Sequence, residues 1–329
     1  MGSEEALSEN MAEFYAGALL AARDLGSDGS KLDLSVCNTS RERPSAAGKH
    51  LSIGPVASAD IDALLRTTTD QNFYVVSPLD PRVEKMTDSL RVIQVPTPAS
   101  VQARALVEWM LEDMAPMDTI LVVRQTGEAP DEFSSMVVAG LRRAGVEFKS
   151  LTYDILEAMD IPEKYAQLAP AEGTARIFAA TASESFSAEV IRNVNLLQYK
   201  ERKGVLYCNS RIRSFQSVET ENIHAAETHM VANYHIDYTD PEVKRFVYAF
   251  RALYGCEPGS FAFQGYDVLR YFCSLVIKYG SQWAANLENE PSVGLQAAFD
   301  FKRDSNKKGA VNSAVHRIIY NQDYSISTK

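Results

Sequence analysis

The sequence predicts an α/β protein of two lobes, each built on a parallel sheet flanked by helices. Three observations carry that prediction. Strand-like and helix-like patterns alternate in the first part of the chain and begin again after about residue 98, the one-dimensional signature of successive βαβ units. The run Phe73, Tyr74, Val75, Val76 is apolar at every position, as expected of a strand covered on both faces. A chain of 329 residues is also too long for one small core and fits two domains.

The elements follow in order. Met11, Phe14, Tyr15, Ala18, Leu19 and Ala22 recur at three- and four-residue steps, predicting an amphipathic helix over 9–25 that ends near Gly26. Leu32, Leu34 and Val36 alternate with polar residues and predict a strand over 32–36. A polar stretch, 38–48, leads to a second strand at Leu51 and Ile53, a Gly54-Pro55 turn and a helix over 59–66. Strands at 73–76 and 90–95 complete the first set, and Pro96-Thr97-Pro98 marks a crossover. The second set alternates helices near 100–114, 131–144, 162–168 and 185–200 with strands at 119–123, 147–153, 176–180 and 204–208.

After a strand at 230–236, Asp240-Pro241-Glu242 supplies a cap, a proline at the first helical position and an acid in the first turn. That helix buries Val243, Phe246, Val247, Phe250 and Leu253 and stops at Gly255. The next, over 262–279, carries Tyr266, Leu269, Phe272, Val276 and Tyr279 on one face, a stripe that reads as core. Strands at 295–301 and 316–320 close the chain, joined by a charged turn over 302–309 that reads as solvent-exposed.

Composition excludes several classes. Apolar residues at 46% and charged ones at 23% describe an ordinary globular protein. With 33 basic against 43 acidic residues the net charge is −10, which argues against nucleic acid or an anionic membrane as the main partner. No apolar run approaches the ~20 residues that span a bilayer, and no signal sequence precedes the first helix. Met1-Gly2 reads as an expression leader, so the missing signal says little about the native compartment. Cys37, Cys208, Cys256 and Cys273 show no metal or redox spacing and read mostly as buried free thiols. The five histidines form no helical metal pair, and neither a metal nor a cofactor is expected. Motifs for a nucleophile elbow, a phosphate loop, a dinucleotide fold or a zinc protease are absent, so an enzyme is not expected.

Ligands of such sheets sit outside the carboxyl ends of the strands. In the first lobe that places Gly54 and Ser58 after one strand and Ser77 after the next. Ser58 opens a helix whose free N–H groups suit an anionic group; it would cap that helix, with or without touching a ligand. In the second lobe the same position is held by Gln125, Thr126 and Gly127, by Thr181 and Ser183, and by Asn209 and Ser210. All are small or amide groups able to hydrogen-bond, although each alone also reads as an ordinary polar loop residue.

The segment at 14–22, the Ile53-Gly54-Pro55-Val56 and Ser77-Pro78 turns, and 250–255 followed by Gly265-Tyr266-Asp267-Val268 together resemble the type I periplasmic binding proteins, nearly throughout the chain. More narrowly, the chain resembles the Leu/Ile/Val receptor group and the bacterial cell-envelope members linked to LysM modules. That resemblance implies two Rossmann-like lobes closing on a small polar ligand, an amino acid or peptide-like molecule. Lobe 1 would be 1–97 plus 237–290, and lobe 2 98–236 plus 291–329. It implies a ligand carboxylate held at Ser58, four places after Gly54, with Ser77, Thr126, Thr181 and Asn209 as further contacts; Glu128 and Glu184 are the acidic candidates for a ligand amine.

The implied partners are a membrane transporter, or peptidoglycan reached through an N-terminal module, in the periplasm or cell envelope. The family opens with a central strand before its first helix, and residues 1–10 contain no strand-like run. The resemblance therefore predicts a first lobe that is disturbed, swapped or completed by a dimer partner. Two functions follow: a solute receptor, or a scaffold module of the same fold that has lost its ligand.

Overall fold

A computed structural model describes residues 2–39, 41–88, 90–156, 159–304 and 306–329, with side chains from residue 9 onward. The chain divides into two compact units, Met1–Pro98 with Asn233–Ala314 (unit 1) and Ala99–Ala232 with Val315–Lys329 (unit 2). The stretch 291–314, expected in the second lobe, lies in unit 1. The reason is its packing: Phe299, Phe301 and Ala310 bury themselves beside Tyr271 and Phe272.

In chain order, unit 1 begins with α1 (Gly2–Ser27), β1 (Leu51–Ile53), α2 (Ser58–Arg66), β2 (Tyr74–Ser77) and β3 (Val92–Gln94). Unit 2 follows with α3 (Ala99–Glu112), β4 (Thr119–Gln125), α4 (Glu132–Arg143), β5 (Phe148–Tyr153), α5 (Ile161–Leu168), β6 (Thr174–Ala179), α6 (Glu184–Leu196), β7 (Lys203–Asn209), α7 (Thr220–Ala225) and β8 (Thr228–Ala232). The chain returns to unit 1 for α8 (Pro241–Tyr254), α9 (Ser260–Tyr279), α10 (Trp283–Asn286), β9 (Ser292–Val293), β10 (Ala298–Phe299), β11 (Phe301–Lys302) and β12 (Ala310–Asn312). It ends in unit 2 with β13 (His316–Tyr320) and β14 (Ile326–Thr328).

The unit 1 sheet runs β1-β2-β3-β12-β11, with β1, β2, β3 and β12 parallel and β11 antiparallel. One face packs on Phe272, Leu275 and Trp283; the other, carrying Val75 and Val92, packs on Ile61 and Leu64 of α2. Helices α1 and α9 meet backbone to backbone: a methyl group on Gly17 would overlap the carbonyl oxygen of Ala262, and one on Gly265 that of Phe14. Asp240 caps α8 through the Glu242 N–H at 2.7 Å, Pro241 stands first in the helix, and Gly255 ends it at φ +70°. Leu253, expected in the buried stripe of α8, is exposed.

Residues 32–36 form no strand. Their alternation predicts half of a sheet edge, but none of their backbone groups pairs with another among the described residues, and β1 is the end of its sheet. The predicted strand over 230–236 stops at Ala232, beyond which Tyr234 bridges Ala297 in unit 1. That expected over 295–301 divides into β10 and β11.

Unit 2 has a seven-stranded sheet in the order β14-β13-β8-β7-β6-β4-β5, parallel from β5 to β8, with β13 and β14 antiparallel. Helices cover both faces, so β4 reads Ile120, Leu121, Val122, Val123 with every side chain buried. At the amino ends of its strands lies a charged cluster. Arg176 joins Asp118 at 2.9 Å, its Nη1 donates to the Tyr207 hydroxyl at 2.7 Å, and that hydroxyl donates to Asp113 at 2.9 Å. His229 lies stacked on Trp109 with ring centroids 4.8 Å apart.

Candidate functional site

In unit 1 the parallel strands β1 and β2 deliver two turns to one end of the sheet. Gly54, at φ +80°, donates its N–H to the Val76 carbonyl at 2.8 Å and turns the chain toward α2. A residue with a side chain is strained there, which is why glycine holds the position. Ser58 does not cap α2. Ala57 occupies the capping position, with extended backbone and no side-chain bond, and Ser58 is the first helical residue, exposed to solvent. Among the described residues no hydrogen bond of its hydroxyl or of the Ser58 and Ala59 N–H groups is seen, whereas the Asp60 N–H donates to the Ala57 carbonyl at 3.1 Å.

Ser77 is fully buried, and its Oγ has no hydrogen-bond partner among the described residues. Its register partner is Gln94, also fully buried, whose Nε2 donates to the Pro96 carbonyl at 2.9 Å while its Oε1 has no such partner. By the two-residue period of a strand, Ser77 follows Val75 and Gln94 follows Val92 onto the α2 face. The turn after Ser77 is anchored by Gln264 of α9, which donates to the Pro78 carbonyl at 3.0 Å. Burial thus separates Ser77 from Ser58, which is open to solvent.

In unit 2 the strand ends form a connected set. Thr181, after β6, donates its hydroxyl to Glu128 Oε2 at 2.8 Å and accepts the Ser183 N–H at 2.9 Å. Ser183 caps α6 through the Phe186 N–H at 3.3 Å, and Ser187 one turn later donates to the Ser183 carbonyl at 2.7 Å. Asn209, the last residue of β7, turns its side-chain oxygen to the Arg211 N–H at 3.1 Å. Thr181, Ser187, Asn209 and Arg211 share a pocket walled by Phe133, Phe178 and Phe215. Its ≈ 20 Å³ is room for about one water molecule.

Thr126 does not join this group. It is exposed, and its backbone N–H is used by the Tyr153 carbonyl at 3.0 Å. Glu184 is occupied elsewhere: Oε1 accepts the Ser217 N–H at 2.7 Å, which holds its carboxyl below the usual range. Glu128 is therefore the acid that meets a predicted ligand-binding residue. Ser187 and Arg211 were not predicted; the four-residue step from Ser183 to Ser187, back onto the same face of the helix, is the signal that points to the first. Gln94 and Gln264 were missed because an amide within an apolar pattern looks like an interruption until its partner is placed.

A larger open groove of ≈ 540 Å³ lies elsewhere in unit 1, against Tyr266, Arg270, Tyr271 and Lys278, and contains none of the predicted residues. Among the described residues no group of three or more His, Cys, Asp or Glu could hold a metal ion, and no helix is long and apolar enough to cross a membrane. All four cysteines are free, but only Cys208 and Cys273 are buried, whereas Cys256 is exposed.

No protein-family model matches the sequence, and no curated protein does. Solved structures do match in fold. A putative branched-chain amino acid ABC transporter protein from Rhodospirillum rubrum shares 14% identity over 98% of this chain and 95% of its own, with a TM-score of 0.63. An ABC transporter substrate-binding protein from Desulfitobacterium hafniense, in complex with Leu, shares 17% over 96% and 95%, at 0.56. Full-length LpoA from Haemophilus influenzae shares 15%, covering 97% of this chain but 55% of its own, at 0.58. The fold is that of the type I periplasmic binding proteins.

Proposed function

We propose that this chain is a non-catalytic, extracytoplasmic receptor for a small polar solute of the amino-acid class. The observation that supports it most is the strand-end set of unit 2, where Thr181, Glu128 and Asn209 present hydroxyl, carboxylate and amide groups at the carboxyl ends of parallel strands. Within unit 2 a carboxylate of this kind suits a ligand ammonium; within unit 1, taken by itself, the start of α2 suits an anionic group. Among the structural neighbours are an ABC transporter substrate-binding protein in complex with Leu and a putative branched-chain amino acid ABC transporter protein, which agrees with this reading at the level of fold. A membrane transporter is the partner it calls for, in the periplasm or cell envelope.

A second reading is a scaffold module of the same fold without a ligand, engaging the cell envelope, for example peptidoglycan through a further module. It is favoured by the complete burial of Ser77 and by the capture of Glu184 by Ser217. Thermal unfolding of the whole chain against a panel of amino acids and short peptides separates the two. A ligand that binds only the folded state must raise the melting temperature. No shift with any member of the panel sinks the receptor reading, and turnover of a nucleotide, ester or sugar sinks the non-catalytic one.

A further inference from the structure

Residues 31–37, Lys-Leu-Asp-Leu-Ser-Val-Cys, carry the alternation of a strand and belong to none of the sheets. Their apolar face is only partly used. Leu32 packs against the α1, α8 and α9 layer, but Leu34 is 44% exposed and Val36 65%. On the other face Asp33 pairs with Lys49 at 2.9 Å, which holds the stretch to the surface of unit 1. An alternating stretch with free backbone groups is a template for pairing with another strand.

The stretch is complementary to itself when run antiparallel. Centred on Leu34, the pairing sets Leu34 opposite its own copy, Leu32 opposite Val36, Asp33 opposite Ser35 and Lys31 opposite Cys37. Every apolar pair then meets on one face, and no like charges stand opposed. Centring on Asp33 would oppose two carboxylates, and centring on Ser35 would set Leu32 against Asn38, so one register is preferred. We propose that residues 31–37 pair with the same residues of a second copy of this chain, about a two-fold axis at Leu34. The partner that covers this edge is the protein itself, and the pairing is independent of the receptor reading.

Two measurements on the full chain test it. Light scattering after size exclusion over a dilution series is expected to give the mass of two chains for the natural sequence and of one for Leu34→Lys, with unchanged far-ultraviolet dichroism. With Cys37 and Cys256 replaced by serine, Leu34→Cys is expected to form a disulfide-linked dimer on mild oxidation, since opposed antiparallel residues lie within disulfide reach. Val36→Cys in that background is expected not to, because it faces Leu32. A single-chain mass at every concentration overturns the proposal and leaves this edge to another partner. So does a dimer that survives Leu34→Lys, or equal cross-linking at 34 and 36.

Discussion

Asp267 of α9 accepts the backbone N–H of Ala297 on Oδ2 at 2.9 Å. The same carboxylate takes the N–H of Gln296 at 2.8 Å and that of Leu295 at 2.7 Å. One buried side chain therefore holds the loop between β9 and β10 in place. A methyl group on Gly294 would fall 2.5 Å from its Cγ, so the neighbouring residue must be small.

Burial pushes the Asp267 carboxyl up to about 6, against the pull of its three N–H donors. Between about pH 4, the unfolded value, and pH 6 the folded chain keeps a proton that the unfolded chain releases. This contribution to stability is fully present below about pH 4 and is lost as pH rises through 6. Asp267→Asn is expected to cost roughly 1–3 kcal/mol near neutrality, because its amide cannot accept all three bonds. The deficit relative to the natural protein should widen on acidification through that window, as read by urea titration; a constant deficit would contradict the assignment.

His229 behaves in the opposite sense. Desolvation lowers it to about 4, although Nδ1 lies 3.1 Å from Asp113 Oδ2. Its unfolded value is about 6.5, so its contribution is present above that pH and is lost as pH falls toward 4. His229→Gln is expected to lose less stability than the natural protein over the same fall in pH. Equal acid sensitivity in the two would show that the fold leaves the His229 pKa where the unfolded chain has it.

The α1–α9 contact predicts a contrast among glycines of one helix. Gly17→Ala must push the two backbones apart and is expected to destabilise by roughly 1–3 kcal/mol. Gly26→Ala, with nothing within 4 Å of the new methyl group and ordinary helical backbone, is expected to stabilise by about 0.5–1 kcal/mol. Chemical denaturation of both variants checks the pair.

For the proposed ligand site, Thr181→Val removes the bond to Glu128 and the acceptor for Ser183. It is expected to cost about 1 kcal/mol of stability and to weaken binding of an amino-acid ligand by roughly tenfold. Ser58→Ala is expected to leave stability nearly unchanged, because Ser58 caps nothing, and to weaken a carboxylate ligand specifically. Calorimetric titration of each variant with the best ligand from the thermal panel decides. Unaltered affinity removes that residue from the site.

Patterns that depend only on near neighbours in the chain were enough to set the class of fold. Val75 and Val76 must be covered on both sides, Asp240-Pro241 must start a helix and Gly255 must end one, wherever the rest of the chain lies. Tertiary structure decided what such patterns cannot carry. Strand pairing needs a partner distant in sequence, so the alternation at Leu32, Leu34 and Val36 predicted a strand that finds none among the described residues. The same holds for the candidate site: a hydroxyl after a strand can face solvent, as Ser58 does, or vanish into the core, as Ser77 does. The choice between Glu128 and Glu184 likewise rested on which one Thr181 reached and which one Ser217 captured. Local propensity fixes what an element is, and only packing among distant elements fixes what its polar groups are free to touch.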